Sequence, residues 1–255
     1  MIKDSIDKGT FCSLIDPKAS ILEIGPYASP TFRQPFYNVS YADILTPDEI
    51  RAECGAHGYN KDMAPDHIDI MIDLDADPTI GTDLRFDVIF SSHTIEHQPD
   101  LVRHLNETAN VTAGRDSRYY LAIPDKHYCF DHFQFESTIA EVVGAHIEKR
   151  RRLLPSTLLQ NELFVGHNFA GSHWNGDHGL NPYPIVTAEK ILKHMERAKL
   201  LETQYIDSHA WKFYPANFIM IISLLHEMKL QPWSIEAIYP TLRGSNEFYA
   251  ILKLE

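Results

Sequence analysis

Short apolar runs closed by polar or glycine-containing turns recur along the first half of this 255-residue chain. Ser20-Ile21-Leu22-Glu23-Ile24-Gly25 reads as a buried strand that Gly25-Pro26 stops. Three prolines between positions 26 and 35 discourage a helix, so a loop is expected to follow. Residues 39–42 form a second strand ending at Asp43. Thr46-Pro47-Asp48-Glu49 then opens a helix, with a capping Thr, Pro at the first helical position and Glu three residues after the cap. Residues 68–74 alternate as a third strand, Phe86-Asp87-Val88-Ile89-Phe90 is a β-branched and aromatic fourth, and 119–123 is a fifth closed by Pro124-Asp125. A helix is expected over 101–111. Strands alternating with helices at this spacing predict βαβ units, hence a doubly wound α/β fold on a mostly parallel sheet.

Beyond Asp125 the pattern loosens, apart from a helix over 137–152, and residues 126–185 are expected to form an inserted lid or substrate region within a single domain spanning 1–255. Order returns with a helix at 187–200, a strand at 203–208, a helix at 215–229 and a last strand at 247–252. The basic run Lys149-Arg150-Arg151-Arg152 follows an apolar stripe of Ile139, Val142, Val143 and Ile147. It reads as a solvated helix end that complements the helix dipole.

Charge narrows the partners. A formal net charge of −12 leaves no broad electrostatic footprint for a phosphate backbone, which argues against nucleic acid. Cys12, Cys54 and Cys129 are widely spaced with no CxxC, as expected of free thiols in a reducing compartment. Residues 1–7 lack an apolar signal core and the most apolar later stretch, 218–225, is too short to span a bilayer, so a cytoplasmic protein with no membrane span is expected.

In an open parallel sheet, ligands collect beyond the C-terminal strand ends, where adjacent loops part. Gly25 lets backbone approach a ligand closely, and Asp43 sits where a carboxylate can accept both hydroxyls of a ribose. Alternatively, Gly25 only ends a strand and Asp43 caps a turn.

The set of runs resembles the class I S-adenosylmethionine-dependent methyltransferases. The matching residues are Ile21-Leu22-Glu23-Ile24-Gly25 for the first motif, Asp43 for the acid ending the second strand and Asp73-Leu74 for the third-strand turn. Phe86 to His97 match the fourth-strand motif, and Leu121-Ala122-Ile123-Pro124-Asp125 the fifth strand and its exit. The resemblance covers residues 18–126 and resumes at the last strands. It implies a seven-stranded sheet ending in an antiparallel hairpin, for which 203–208 and 247–252 are the expected pair. It also implies S-adenosylmethionine as cofactor, with Glu23, Gly25 and the Pro26-Tyr27 backbone facing the methionine part, Asp43 the ribose, Asp73 and Leu74 the adenine, and Ser92 at the fourth-strand exit. One departure stands out: the family's Gly-x-Gly-x-Gly is here Gly25 followed by Pro26, Tyr27, Ala28, Ser29 and Pro30. Two glycines and the following helix are missing, so the cofactor either binds through the backbone of a rebuilt loop or has been lost.

Fourteen histidines are the second signal, with His93, His97, His127, His132, His167, His173 and His178 expected to converge at one sheet edge. Moving a methyl onto a hydroxyl requires taking its proton, which suits histidine. His93 ranks first as the base, followed by His97, Asp125 and His127. Residues 124–133, dense in acids and aromatics, read as a substrate-facing loop with Asp131 and His132. The glycine-rich stretch 166–179 is expected to close over a sugar ring, with Trp174 stacking and His173 and His178 beside it. With no HxxxH pair on a helix and no HxH, no metal is assigned. The expected activity is methyl transfer to a small-molecule oxygen, with a sugar or sugar-containing acceptor. Two other readings stay open: a repurposed fold carrying out another transfer or hydrolysis with a metal on loop histidines, and a non-catalytic binding module whose cofactor pocket Tyr27 and Pro30 fill.

Overall fold

Apolar side chains on both faces of a strand require cover on both sides, and the central strands here have that character. The computed structural model describes residues 1–255, the side chains of residues 56 and 57 excepted. Its strands are β1 (Ser20–Ile24), β2 (Asn38–Asp43), β3 (Ile70–Met71), β4 (Val88–Ser92), β5 (Arg118–Pro124), β6 (Trp233–Tyr239) and β7 (Glu247–Leu254). They form one seven-stranded sheet in the order β3-β2-β1-β4-β5-β7-β6. All neighbours are parallel except β7, which runs antiparallel to both β5 and β6.

The two-residue period of a strand sends alternate side chains to opposite layers. Leu22 and Ile24 of β1 join a core with Ile89, Leu121, Leu105, Phe218 and Trp233, beneath α3 (Leu101–Asn110) and α8 (Pro215–Glu227). Ile21 joins the other layer, with Phe11, Phe32, Val88 and Phe90. Phe11 comes from α1 (Lys8–Cys12). Phe32 comes from the proline-rich loop and meets Phe90 edge-on, ring centroids 4.9 Å apart. The loop after β1 therefore covers that face with a side chain instead of a helix.

Several expectations change. The third strand shrinks to Ile70–Met71, because the Asp69 carboxylate accepts the backbone N–H of Tyr41 at 2.8 Å and replaces a ladder bond. Residues 203–208 form no strand: Ile206 packs with Leu158 and Leu201 in a separate small core. The partner of β7 is instead β6, anchored by buried Trp233, whose indole N–H donates to Leu105 O at 2.8 Å. The helix expected over 137–152 is α4 (Ile139–Ile147), opened by a Thr138–Glu141 capping box. The basic run beyond it does not simply solvate a helix end. Arg151 donates to Ala76 O at 2.8 Å and Arg152 pairs with Asp75 at 2.8 Å, which straps the loop after β3. Also present are α2 (Pro47–His57) and α7 (Ala188–Lys199), as expected, with α5 (Pro155–Leu163) and α6 (Ala170–Trp174) inside 126–185.

The two outer strands differ from the centre. β3 has two residues, and β6 carries a register shift between Ile235 and Ala237. Its outer side is met by residues 1–3, with Lys3 N donating to Ile238 O at 2.8 Å and Ile238 N to Met1 O at 3.1 Å. Among the described residues, no helix is long and apolar enough to cross a membrane.

Candidate active site

Beyond the C-terminal ends of β1, β2 and β4 lies a cleft of about 1130 Å³ lined by Gly25, Tyr27, Asp43, Ser92, His93 and His97 among others. That exceeds the roughly 300–1,000 Å³ of a typical single-ligand site and leaves room for two bound molecules.

Its first wall is the rebuilt loop. Gly25 has φ +68° and donates its N–H to Ala42 O at 2.8 Å, and a Cβ added there would lie 2.7 Å from Thr94 Oγ1. Glu23, pointing away from the Leu22 layer, accepts the N–H of Thr31 at 2.7 Å and of Phe32 at 3.0 Å. Burial pushes its carboxyl up to about 7 in spite of these two donors. Its carboxylate is thus occupied in tying the loop back to β1. Asp43, 5% exposed, accepts from Leu45 N at 3.0 Å and Tyr27 N at 3.4 Å, and burial raises its pKa. It joins the end of β2 to the same loop. Leu74 and Ile72 line the cleft, whereas Asp73 is outside the lining. Ser92 accepts from Lys8 Nζ at 2.7 Å; Lys8, from α1, also lines the cleft.

The exit of β4, the strand beside β1, carries His93 and His97 of the lining. His93 leaves β4 with φ +52°, an uncommon conformation for a residue with a Cβ, and its Nε2 lies 2.8 Å from Glu247 Oε2 at the start of β7. Burial opposes ionisation of Glu247, yet His93 and Lys8 hold its carboxyl below the usual range. His97 Nδ1 is 2.8 Å from Asp207 Oδ1 and its Nε2 is 3.6 Å from Glu96 Oε1. Desolvation works against charge on His97, but the two carboxylates raise it to about 10, and His97 in turn lowers Asp207 to about 2 against the effect of burial.

The other expected site residues lie elsewhere. Asp125 and His127 form their own pair at 2.8 Å, with Thr241 donating to Asp125 at 2.6 Å, and neither lines the cleft. Asp131 is no surface acceptor for substrate: it is buried, 2.5 Å from His209 Nδ1, and also accepts from Gln134. His132, His173 and His178 gather in a separate stack, with His132 and His178 ring centroids 3.7 Å apart. Trp174 lies face to face on Tyr128 at 3.9 Å and donates to Ser245 O at 2.7 Å, so one face of its ring is already covered. The expected seven histidines thus separate: His93 and His97 are in the cleft lining, His127 pairs with Asp125, and His167 joins the stack of His132, His173 and His178 with its ring 4.1 Å from that of His173. Glu96, His209, Glu247 and Lys8 were missed. The His93-x-x-Glu96-His97 spacing was the available signal for Glu96; the others come from distant segments.

His104 also borders the cleft. It is buried with Nε2 2.9 Å from Tyr119 Oη, and burial pushes its pKa down to about 4. A histidine kept neutral in the fold stabilises fully above its unfolded pKa near 6.5, and that contribution is lost as pH falls toward 4. The stability advantage of the native chain over a His104→Leu variant is therefore expected to shrink between pH 6.5 and 4 in urea denaturation. A difference constant over that range excludes this role.

No protein-family model matches the chain. No curated protein matches it either. Solved structures do. One from Rhodobacter sphaeroides, named provisionally as a Zn-dependent alcohol dehydrogenase, is 14% identical with a TM-score of 0.51, covering 99% of this chain and 91% of that one. The PH0226 protein of Pyrococcus horikoshii OT3 is 11% identical with a TM-score of 0.44, covering 97% and 87%. The CcbJ methyltransferase from Streptomyces caelestis is 8% identical with a TM-score of 0.43, covering 96% and 93%.

Proposed function

We propose, from the premise that this chain has the class I methyltransferase fold, that it binds S-adenosylmethionine and transfers its methyl group to an oxygen of a small molecule. The observation that carries this reading is the cleft itself, whose lining brings together the Gly25 loop, Asp43 and His93, with His93 bonded to Glu247. The residues fit the cofactor in their chemistry: the Asp43 carboxylate, an acceptor for ribose hydroxyls, and the Gly25-Pro26-Tyr27 segment line the cleft together with apolar Ile72 and Leu74.

When bound, the cofactor supplies an electrophilic methyl on a sulfonium. The protein's part is to place both partners in one cleft and manage the proton. His93 donates its Nε2–H to Glu247, which leaves Nδ1 able to accept the acceptor's hydroxyl proton, and Glu247 stabilises the imidazolium that results. Asp43 receives the ribose hydroxyls. The arginines lining the cleft are already paired, Arg103 with Glu107, Arg150 with Glu148, Arg151 with Asp77 and Arg197 with Glu162. This favours a neutral, hydroxylated acceptor such as a sugar over a polyanion.

Calorimetry with S-adenosylmethionine and S-adenosylhomocysteine tests the reading. Micromolar binding is expected, weakened more than about tenfold in Asp43→Ala, since a hydrogen bond to a charged group contributes roughly 1.5–3 kcal/mol. No binding at millimolar ligand to folded protein overturns it.

A further inference from the structure

Glu96 follows His93 by three residues, in the turn that leaves β4, and its side chain is completely buried. Neither of its carboxylate oxygens has a hydrogen-bond partner among the described residues. A buried, unsatisfied carboxylate is costly and calls for a reason. Two imidazole nitrogens point at the same oxygen, His97 Nε2 at 3.6 Å and His209 Nε2 at 3.7 Å from Oε1. These distances are too long for hydrogen bonds.

They suit a shared ion better. In a tetrahedral zinc site with bonds of about 2.0–2.2 Å, neighbouring ligand atoms stand roughly 3.3 Å apart. The donor atoms of Glu96, His97 and His209 all lie within 4.8 Å of one another, so a modest contraction brings them to that spacing. Each ligand histidine also has a carboxylate beside its outward nitrogen, as metal-bound histidines commonly do. His209 Nδ1 is hydrogen-bonded to Asp131 at 2.5 Å, and His97 Nδ1 lies 2.8 Å from Asp207 without hydrogen-bond geometry. The frame is fixed as well: Glu96 O accepts the N–H of Ala210 at 2.7 Å and of Trp211 at 3.0 Å, so the segment bearing His209 is tied to the turn bearing Glu96 and His97.

We propose that Glu96, His97 and His209 form a binding site for a divalent transition-metal ion, zinc by its donor set, with its open position toward His93 and the cleft. His93 Nδ1 is 3.9 Å from the same Glu96 oxygen, and His97 lines the cleft, which gives an ion its way in. On binding, the ion takes the position of the proton on His97 Nε2, which is released to solvent. The site joins the β4 exit to residues 207–211 and does not depend on methyl transfer.

The test is zinc titration of the chelator-treated protein by calorimetry, with cobalt as a spectroscopic probe. The expected result is one tight zinc per chain and the visible absorption of four-coordinate cobalt. Binding should weaken at least a hundredfold in His209→Gln, and about 10- to 100-fold in Asp207→Asn, which keeps all three ligands but loses the support of His97. His178→Ala, in the separate histidine stack, should leave the stoichiometry and affinity unchanged. Circular dichroism checks that each variant is folded; if His209→Gln is not, Asp207→Asn decides. Failure of folded native protein to bind zinc, or binding lost in His178→Ala and kept in Asp207→Asn, overturns the proposal. Because the readout is metal binding alone, a protein that binds S-adenosylmethionine but fails to bind zinc refutes this site and leaves the proposed function standing.

Discussion

Gly25→Ala is expected to abolish detectable cofactor binding and to lower the melting temperature by roughly 6–12 °C, for an estimated cost of about 3 kcal/mol in a chain of this size. Two penalties combine. At φ +68° an alanine sits in the left-handed region, at about 1–2 kcal/mol. Its Cβ would also stand 2.7 Å from Thr94 Oγ1 and 3.3 Å from Thr94 Cγ2. To relieve that contact the threonine must turn away from Ile24 O and Ser92 O, which its hydroxyl reaches at 3.3 and 3.2 Å. Because Thr94 adjoins His93, the disturbance reaches the β4 exit as well as the loop after β1. A Thr94→Ala background separates the terms: the steric part should disappear there and the conformational part remain. Unchanged stability and unchanged S-adenosylhomocysteine affinity in Gly25→Ala would remove Gly25 from the site.

Glu23→Ala should be comparably severe. It leaves the N–H groups of Thr31 and Phe32 without their acceptor, and Phe32 is part of the core beside Phe90. At about 1–3 kcal/mol per stranded buried donor, the expected loss is roughly 2–5 kcal/mol in urea denaturation. Hydrogen exchange gives a local readout, with the amides of Thr31 and Phe32 losing protection before those of β1. Glu23→Gln keeps one acceptor and should fall between. Cofactor affinity should fall along with loop order, since Gly25, Pro26 and Tyr27 belong to the same tethered segment. Native protection of both amides in Glu23→Ala would show that the loop is held by something else.

Much of the sheet was readable because its central strands are buried on both faces, so β1, β4 and β5 are nearly continuous apolar runs between turn residues. Reading failed where side chains take over backbone roles. Asp69 ends the pairing that the alternation around Ile70 extends, and Ile206 serves a local core instead of the sheet. β6 was hidden because its strand follows Gln231-Pro232 and its apolar residues are interrupted by Ser234 and Glu236. For the cleft, Gly25, Asp43, Ser92 and His93 were accessible as strand-end residues, whose position the topology dictates. Their partners were not. Lys8 reaches Ser92 across 84 positions and Glu247 reaches His93 across 154, separations at which a single sequence has no periodicity to offer. The histidines misled for a related reason: His132 and His178 stack on one another from distant loops, and nothing in their spacing says which side of the sheet they occupy.

The treatment of the outer strands bears on behaviour at high concentration. An exposed, flat edge strand is a template on which a second molecule can add its own strand and start an aggregate. Here β3 offers only two residues for such addition, while β6 is irregular between Ile235 and Ala237 and already has residues 1–3 bonded at Ile238. Both edges therefore resist intermolecular β-pairing, which protects a sheet whose interior strands are among the most apolar segments of the chain.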